Sequence, residues 1–230
     1  MRFRRLLIRY ALPLLAAVLA VVAVRGLIVA QYALPADIPS AGLSKGDRVI
    51  VLRPAYGLRV PWTRPEARRR WGHRPARKGD VVVFRHPLAK GTCVARCEGA
   101  PGDTVWIDLR DGRLLPGRTA TTARPFVVPG REHPVDVTPW NARLLHAAIT
   151  RHERSRAGLR GDTALLFDGR PLPRAYFTQD YYWMEGTAGH YGLVPQSHLE
   201  GRVVCTSYSI DSSQPFYRCL RTDRFFRPVR

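Results

Sequence analysis

Residues 93–105 read Cys-Val-Ala-Arg-Cys-Glu-Gly-Ala-Pro-Gly-Asp-Thr-Val, and this stretch decides the fold. Glycine and proline at its centre mark a turn. The β-branched segment Thr104–Leu109 that follows is typical of a short strand. The stretch therefore predicts two strands joined by a Gly-x-Pro-Gly-Asp turn.

The same pattern of a turn followed by a strand recurs along the chain. Asp47–Leu52 and Asp80–Arg85 are short and β-branched, and each begins with the aspartate of a Gly-Asp pair. Val203–Ile210 and Pro215–Leu220 read as the arms of a hairpin around Asp211–Gln214. These segments predict a mainly β protein.

One helix interrupts the strands. Thr138 is a candidate N-cap, Pro139 suits the first helical position, and the segment Trp140–Arg156 contains neither glycine nor proline. We therefore predict an inserted helix near residues 139–156.

The N-terminal residues predict a membrane anchor. Four arginines and no acidic residue occur before residue 11, and the mostly apolar run Leu6–Ala30 contains Arg9 and Arg25. A helix of this length is about 37 Å long, enough for a hydrocarbon core of about 30 Å. The arginines should stay in the cytoplasm and send the remainder outward. A cleaved signal peptide is the competing interpretation, although no clear small-x-small site precedes a polar start.

These patterns divide the chain into a leader and anchor at residues 1–33 and a domain at residues 34–230. We expect a single-pass protein of the inner (cytoplasmic) membrane whose domain is periplasmic.

The chain is strongly basic, with 37 lysines and arginines against 18 acidic residues and a net charge of +19. This balance favours anionic partners such as nucleic acid or acidic lipid, although a GC-rich genome also favours arginine. No zinc-finger or RNA-binding motif occurs, so nucleic acid is not expected as a partner. The basic stretch Arg64–Lys78 is interpreted as an exposed loop.

The seven histidines are scattered, and no pair has the spacing of metal ligands on a shared face. No metal site is predicted, and His190 is only a weak ligand candidate.

Residues 93–105 resemble the K-R-x-x-G-x-P-G-D-x-V motif of the signal peptidase I family. Residues 34–49 resemble its I-P-S-x-S-M-x-P-T-L-x-x-G-D-x-V motif, and residues 179–195 a third family segment. The closing residues resemble Bacteroidota-type members. The matching motif residues, expected to be structural, are Gly46, Asp47, Arg96, Gly99, Pro101, Gly102 and Asp103.

The resemblance implies a fold of antiparallel sheets and a serine endopeptidase in which a neutral lysine activates a serine. Aligned on the Gly-Asp pair, the nucleophile slot is Ile38; aligned on the local Ile-Pro-Ser match, it is Gly42. The base slot is Ala95. The segment that braces the lysine is shortened by about seven residues. We therefore expect a noncatalytic copy, with Ser40 and Ser44 as candidates for a displaced nucleophile.

We consider three functions, of which the first two follow from the resemblance and the third from the basic charge. The first is a binding protein that acts beside an active signal peptidase or the secretion machinery and retains the family's platform for extended signal peptides. The second is a signal peptidase with a displaced serine. The third is a basic scaffold at the membrane surface. No cofactor is expected.

The four cysteines predict one disulfide. Cys205 and Cys219 are placed symmetrically about residue 212, the centre of the predicted hairpin turn, and an oxidising compartment would allow them to pair. Cys93 and Cys97 lie four residues apart in one predicted strand, about 13 Å along it, so they should not pair with each other.

Overall fold

The structure is a computed structural model. It describes residues 2–57, 72, 74–86, 91–110, 114–115, 117, 121–153, 155–161, 163–186, 190–211, 213–215 and 218–229. Its helices are α1 (Arg2–Ala23), a π-helical continuation (Val24–Ile28), α2 (Ala142–His152) and four 3₁₀ turns (Pro39–Ala41, Arg53–Tyr56, Gln196–His198 and Thr222–Arg224). Its strands are β1 (Val29–Ala33), β2 (Asp47–Leu52), β3 (Val81–Arg85), β4 (Thr92–Gly99), β5 (Thr104–Asp108), β6 (Leu114–Leu115), β7 (Ala123–Val127), β8 (Val135–Asp136), β9 (Ala157–Arg160), β10 (Ala164–Phe167), β11 (Arg170–Pro171), β12 (Arg174–Ala175), β13 (Tyr181–Glu185), β14 (His190–Pro195) and β15 (Leu199–Ser209).

Seven strands form the main sheet in the order β1-β2-β15-β3-β4-β13-β14. Three smaller sheets have the orders β6-β5-β7, β11-β10-β9 and β12-β8. Every strand pair in these sheets is antiparallel, which confirms the predicted fold class. The strands predicted at residues 47–52, 80–85 and 104–109 are β2, β3 and β5.

Alternate residues of β3 and β4 pack on opposite faces of the main sheet. One face carries the Ile38 cluster, which consists of Leu34, Ile38, Ala41, Leu43, Val49, Val51, Val81, Val83, Val94 and Val203. The other face carries the Ala95 cluster, which consists of Tyr56, Ala76, Val82, Phe84, Ala95, Cys97, Tyr182, Met184, Val194 and Leu199. Full burial of each large apolar side chain contributes about 1.5–3 kcal/mol, so both faces stabilise the sheet.

Three Gly-Asp turns of the same geometry lead into β2, β3 and β5. The glycines are Gly46 (φ 90), Gly79 (φ 91) and Gly102 (φ 88). In each turn the aspartate carboxylate accepts a hydrogen bond from the amide three residues earlier, that of Ser44, Arg77 or Ala100, at 2.9–3.0 Å. The aspartate's own amide donates back to the same residue at 3.0 Å. Positive φ favours glycine, which explains why this residue precedes each aspartate.

Helix α2 is shorter than predicted at both ends. Asn141 rather than Thr138 is the N-cap residue, and the Asn141 side-chain oxygen accepts a hydrogen bond from the Thr138 amide at 2.8 Å. At the other end, Glu153 leaves the helix, where its carboxylate accepts hydrogen bonds from Thr178 and from the Tyr181 hydroxyl. The predicted inserted helix is confirmed. A local contact between Thr138 and Asn141 limits its start, and the tertiary contacts of Glu153 limit its end.

The predicted hairpin register after β15 is also wrong. Ile210 bridges Leu220, and the Asp211 amide donates to the Cys219 carbonyl at 2.7 Å. Cys219 therefore lies opposite Asp211, whereas Cys205 pairs with Ile50 and forms a bridge with Pro228. None of the four cysteines, all of which the structure describes, forms a disulfide. The turn is not centred on residue 212, so the symmetry behind the predicted Cys205–Cys219 disulfide is absent.

The N-terminal helix fits the predicted anchor. The segment Tyr10–Ile28 is long and apolar enough to cross a membrane, and none of it is buried against the rest of the described structure. This segment lies within the predicted range Leu6–Ala30, and it ends at β1, which begins at Val29 and pairs with β2. Most of the basic stretch 64–78 and the side chain of His190 lie outside the described residues.

A histidine pair packs at the end of α2. The rings of His152 and His198 meet edge to face with centroids 5.1 Å apart, and Tyr181 lies 6.3 Å from His152. Burial, and then the neighbouring His198, lower the pKa of His152 from 6.5 to about 4. The folded domain therefore holds this imidazole neutral where an unfolded chain would be partly protonated.

This pKa shift makes stability depend on pH. Between about pH 6.5 and pH 4 the unfolded chain binds more protons at this position, so its contribution to folding is present above that window and is lost as the pH falls through it. We expect His152→Gln to flatten the decline in unfolding free energy, measured by urea denaturation at pH 7, 6, 5 and 4. Equal declines in wild type and variant would contradict this.

Candidate functional site

The nucleophile slot lies in a closed turn. Ile38 and Leu43 form a bridge in which each amide donates to the other's carbonyl, at 2.8 and 3.1 Å. The 3₁₀ turn Pro39–Ala41 lies between them, and Gly42 (φ 65) ends it in the left-handed conformation. We call residues 38–43 the slot turn. The Ile38 side chain is 4% exposed, so this slot is filled by core and not by a nucleophile.

Two arginines bind the outer carbonyls of the slot turn. Arg96, on β4, donates from its guanidinium to the Ser40 carbonyl. Arg224, in the 3₁₀ turn after β15, donates to the Gly42 carbonyl at 2.8 Å. Guanidinium groups stay charged below about pH 12, so neither arginine can act as a base near neutral pH.

Arg224 also makes a buried ion pair with Asp47. Its Nε and Nη2 atoms lie 3.0 and 2.7 Å from the two carboxylate oxygens of Asp47, which is 0% exposed. The Ser44 amide donates to the same carboxylate at 2.9 Å. This two-pronged pairing with an additional donor is the geometry in which a buried charge is tolerated.

The chain passes very close to Gly46 at this point. A Cβ atom on Gly46 would lie 2.0 Å from the carbonyl oxygen of Ile210, whose amide donates to the Gly46 carbonyl at 3.0 Å. Glycine is required here by both contact and backbone conformation, which gives the predicted motif residue a structural role.

The other motif residues carry β4 into β5. Gly99 is in close contact with Val105 and Val128, and Gly102 with the ring of His133. Asp103 closes the turn through the Ala100 amide. These contacts account for the spacing of the motif without any catalytic group.

The base slot faces away from the slot turn. Ala95 pairs with Val82 on β3, is 0% exposed and belongs to the Ala95 cluster. Its neighbours Val94 and Arg96 point to the other face, where Val94 packs in the Ile38 cluster and Arg96 reaches Ser40. The structure therefore does not bring the two predicted catalytic slots together.

Neither candidate serine has a base as a hydrogen-bond partner within the described ranges: Ser40 lies within the slot turn, and Ser44 directly follows it. Ser40 is exposed and Ser44 is half-buried. Among the described residues, neither hydroxyl is hydrogen-bonded to a lysine or a histidine. The charged group bound to Ser40 through its carbonyl is the guanidinium of Arg96.

A small charged group lies next to Arg96 on β4. The Arg96 Nε lies 3.7 Å from a carboxylate oxygen of Glu98. Burial, and then the charge of Glu185, raise the pKa of Glu98, while Arg96 and Lys78 oppose the shift. The charge of Lys78 therefore stabilises the ionised form of Glu98. Among the residues that the structure describes, Lys78 is not hydrogen-bonded to a serine. In the described part of the chain, no three histidine, cysteine, aspartate or glutamate residues form a group that could hold a metal ion.

A cavity of about 430 Å³ opens beside the slot turn. One wall is formed by Ser40–Leu43 and the other by Thr206 and the segment Arg227–Val229. Neither Arg224 nor this segment was among the predicted site residues. A buried carboxylate such as that of Asp47 needs a cationic partner. This need was the one signal in the sequence that could have indicated a residue such as Arg224.

The antiparallel sheet and the motif turns define a serine-peptidase scaffold of the signal peptidase type. The chain belongs to the family described as signal peptidase, peptidase S26, whose model matches residues 7–126. Signal peptidase I of Buchnera aphidicola subsp. Acyrthosiphon pisum (strain APS) is 30% identical to it over 97 residues. That similarity covers 42% of this chain and 30% of the relative's length.

The buried ion pair predicts a large effect for one substitution. Arg224→Ala leaves the Asp47 carboxylate buried without its cation, which should cost about 3–5 kcal/mol of unfolding free energy. The control is Arg174→Ala, which removes an exposed pair with Asp136 at 2.7 Å and should leave the unfolding free energy almost unchanged. Chemical denaturation of both variants measures the difference. Equal losses would contradict the central role of the Asp47–Arg224 pair.

Proposed function

We propose that this chain is a noncatalytic signal peptidase I-like membrane protein that acts in signal-peptide processing or protein secretion. The observation that carries the proposal is the separation of the two slots. Ile38 and Ala95 are buried in different clusters on opposite faces of one sheet. A lysine introduced at Ala95 would extend away from the slot turn, so loss of activity would not be reversed by one residue.

The chemistry of the family supports this proposal. A serine hydroxyl needs a neighbouring neutral base to become a nucleophile near pH 7. Arg96 occupies the space next to Ser40 and cannot supply that function. A hydroxyl two residues from the nucleophile slot is displaced by about 6–7 Å in an extended segment. A misplacement of even about 1 Å can reduce a rate about a hundredfold.

The binding platform does not depend on the missing groups. The main sheet is held by apolar clusters on both faces and the slot turn by the backbone hydrogen bonds between Ile38 and Leu43, and neither feature requires a serine nucleophile or a lysine base. A cavity remains beside the slot turn. A noncatalytic copy can therefore retain an affinity for extended signal peptides and act beside an active signal peptidase or the secretion machinery.

Ser40 supports a second candidate function. It is exposed, lines the cavity and lies within the slot turn, which is the arrangement required of a displaced nucleophile. In that case the chain would be an active signal peptidase that uses a base other than the family lysine. Ser44 is less suited, because its amide is held by the buried Asp47.

A cleavage assay separates these functions. The intact protein in detergent should leave a secretory precursor uncut, and Ser40→Ala and Ser44→Ala should behave like wild type. A wild-type activity that either substitution abolishes would overturn the noncatalytic proposal and identify the nucleophile. Binding of a synthetic signal peptide without cleavage supports the platform. Binding only to vesicles of anionic lipid would instead favour a basic membrane-surface scaffold, consistent with the net charge of +19.

The proposed localisation is the inner membrane, with α1 as a single span and the domain in the periplasm. The N-terminal arginines support this orientation, because basic residues stay on the cytoplasmic side.

Protease treatment tests this orientation. Added to intact spheroplasts, protease should degrade the domain and leave only a short N-terminal fragment, and a cytoplasmic marker protein should stay intact. Protection of the domain until the membrane is lysed would show the opposite orientation.

A further inference from the structure

Strand β15 carries an extra strand segment on one edge. β2 pairs with β15 from Arg202 to Ser209, while β3 covers the opposite edge only from Leu199 to Arg202. Beyond that point the segment Phe226–Val229 runs antiparallel to β15. The Thr206 amide donates to the Arg227 carbonyl at 2.8 Å, and the Val229 amide to the Val204 carbonyl at 3.0 Å. Because β2 occupies one edge, the segment occupies the other.

This segment lies where an extended ligand would meet the slot turn. It forms the wall of the cavity opposite Ser40–Leu43. Val229 packs against the Ile38 cluster, which contains the nucleophile slot itself. The chain thus places its own segment Phe226–Val229 beside the slot turn, and the Val229 side chain packs on the core.

The segment is held less firmly than Arg224, the residue that fixes the chain just before it. Two backbone hydrogen bonds hold it, and a third contact, from the Phe226 amide to the Ser207 carbonyl, is long at 3.5 Å. Just before the segment, Arg224 is fixed by the buried Asp47. Release of Arg227–Val229 therefore leaves the anchor in place.

Phe226 stores backbone strain between the anchor and the segment. Its φ is 48, in the left-handed region that a bulky residue rarely adopts, and its side chain is 67% exposed. The exposed ring gains little packing that would offset this conformation. Release of the segment lets Phe226 return to an ordinary conformation, so the strain favours the released state.

We propose that Arg227–Val229 is a resident strand that occupies the peptide-binding edge beside the slot turn and must leave before an extended signal peptide binds. This inference rests on the proposed function, because it concerns regulation of the same platform. The observed affinity for a peptide then equals the intrinsic affinity multiplied by the fraction of molecules in which the edge is free.

Two substitutions should change that fraction in opposite directions. Phe226→Asn keeps the left-handed backbone at lower cost, because asparagine tolerates it, and should weaken peptide binding about fivefold. Val229→Ser removes an apolar contact with the Ile38 cluster and should strengthen binding about threefold. The matched control is Asp168→Asn, since Asp168 has φ 50 in the β10–β11 turn and does not line the cavity. This control should leave the affinity unchanged.

The experiment uses the full chain in detergent micelles and a fluorescent synthetic signal peptide that contains a small-x-small cleavage site. Anisotropy gives the affinity, and hydrogen exchange gives the state of the edge. On peptide binding, the Val229 amide should lose protection because its partner, the Val204 carbonyl, is taken by the peptide. The Thr206 amide should stay protected because the peptide replaces Arg227 as its acceptor.

The outcomes separate this inference from the proposed function. Opposite affinity shifts together with loss of Val229 protection support the resident strand. Binding that is equal in all variants, with Val229 still protected, overturns the resident strand and leaves the platform intact. Absence of binding in every variant, including Val229→Ser, overturns the peptide platform and the resident strand with it.

Discussion

The buried pair of Asp47 and Arg224 is the interaction on which the site depends. It joins residues 177 positions apart in the chain, and from this one pair Arg224 also reaches the Gly42 carbonyl while Asp47 holds the Ser44 amide. The slot turn, the start of β2 and the chain after β15 therefore meet at a single carboxylate. A buried charge of this kind is stable only while every partner is in place, so it fixes these three segments relative to one another.

The pleat of β4 imposes the second constraint. Side chains of consecutive strand residues point to opposite faces, so Arg96 reaches the slot turn and Ala95 does not. Where a serine-lysine pair would need both groups on one face, this chain has a guanidinium bound to a backbone carbonyl. Arg96 matches the arginine of the family motif, and the residue before it, Ala95, has no group that can accept a proton.

Much of the fold could be predicted from local sequence. The Gly-Asp pairs located β2, β3 and β5 because a glycine with positive φ and an aspartate that bonds three residues back are encoded within four residues. Helix α2 was predicted in the right part of the chain, but its end at Glu153 is set by contacts with Thr178 and Tyr181. The hairpin register was wrong because Ile210 bridges Leu220. For the site, alignment supplied the positions of Ile38 and Ala95 but not the face of the sheet that each one occupies. Arg224 escaped prediction because its partner precedes it by 177 positions.

The three Gly-Asp turns also bear on the order in which the chain folds. Each turn is closed by hydrogen bonds that span only three residues, so each can form early at a small cost in loop entropy. By contrast, β15 must pair with β2 across about 150 intervening residues. Until it does, β1 and β2 are not connected to the other strands of the main sheet. The two neighbours of β15, β2 and β3, therefore begin at turns that can form before β15 pairs with them. Insertion of β15 is the step expected to set the folding rate, with the locally closed turns limiting the search.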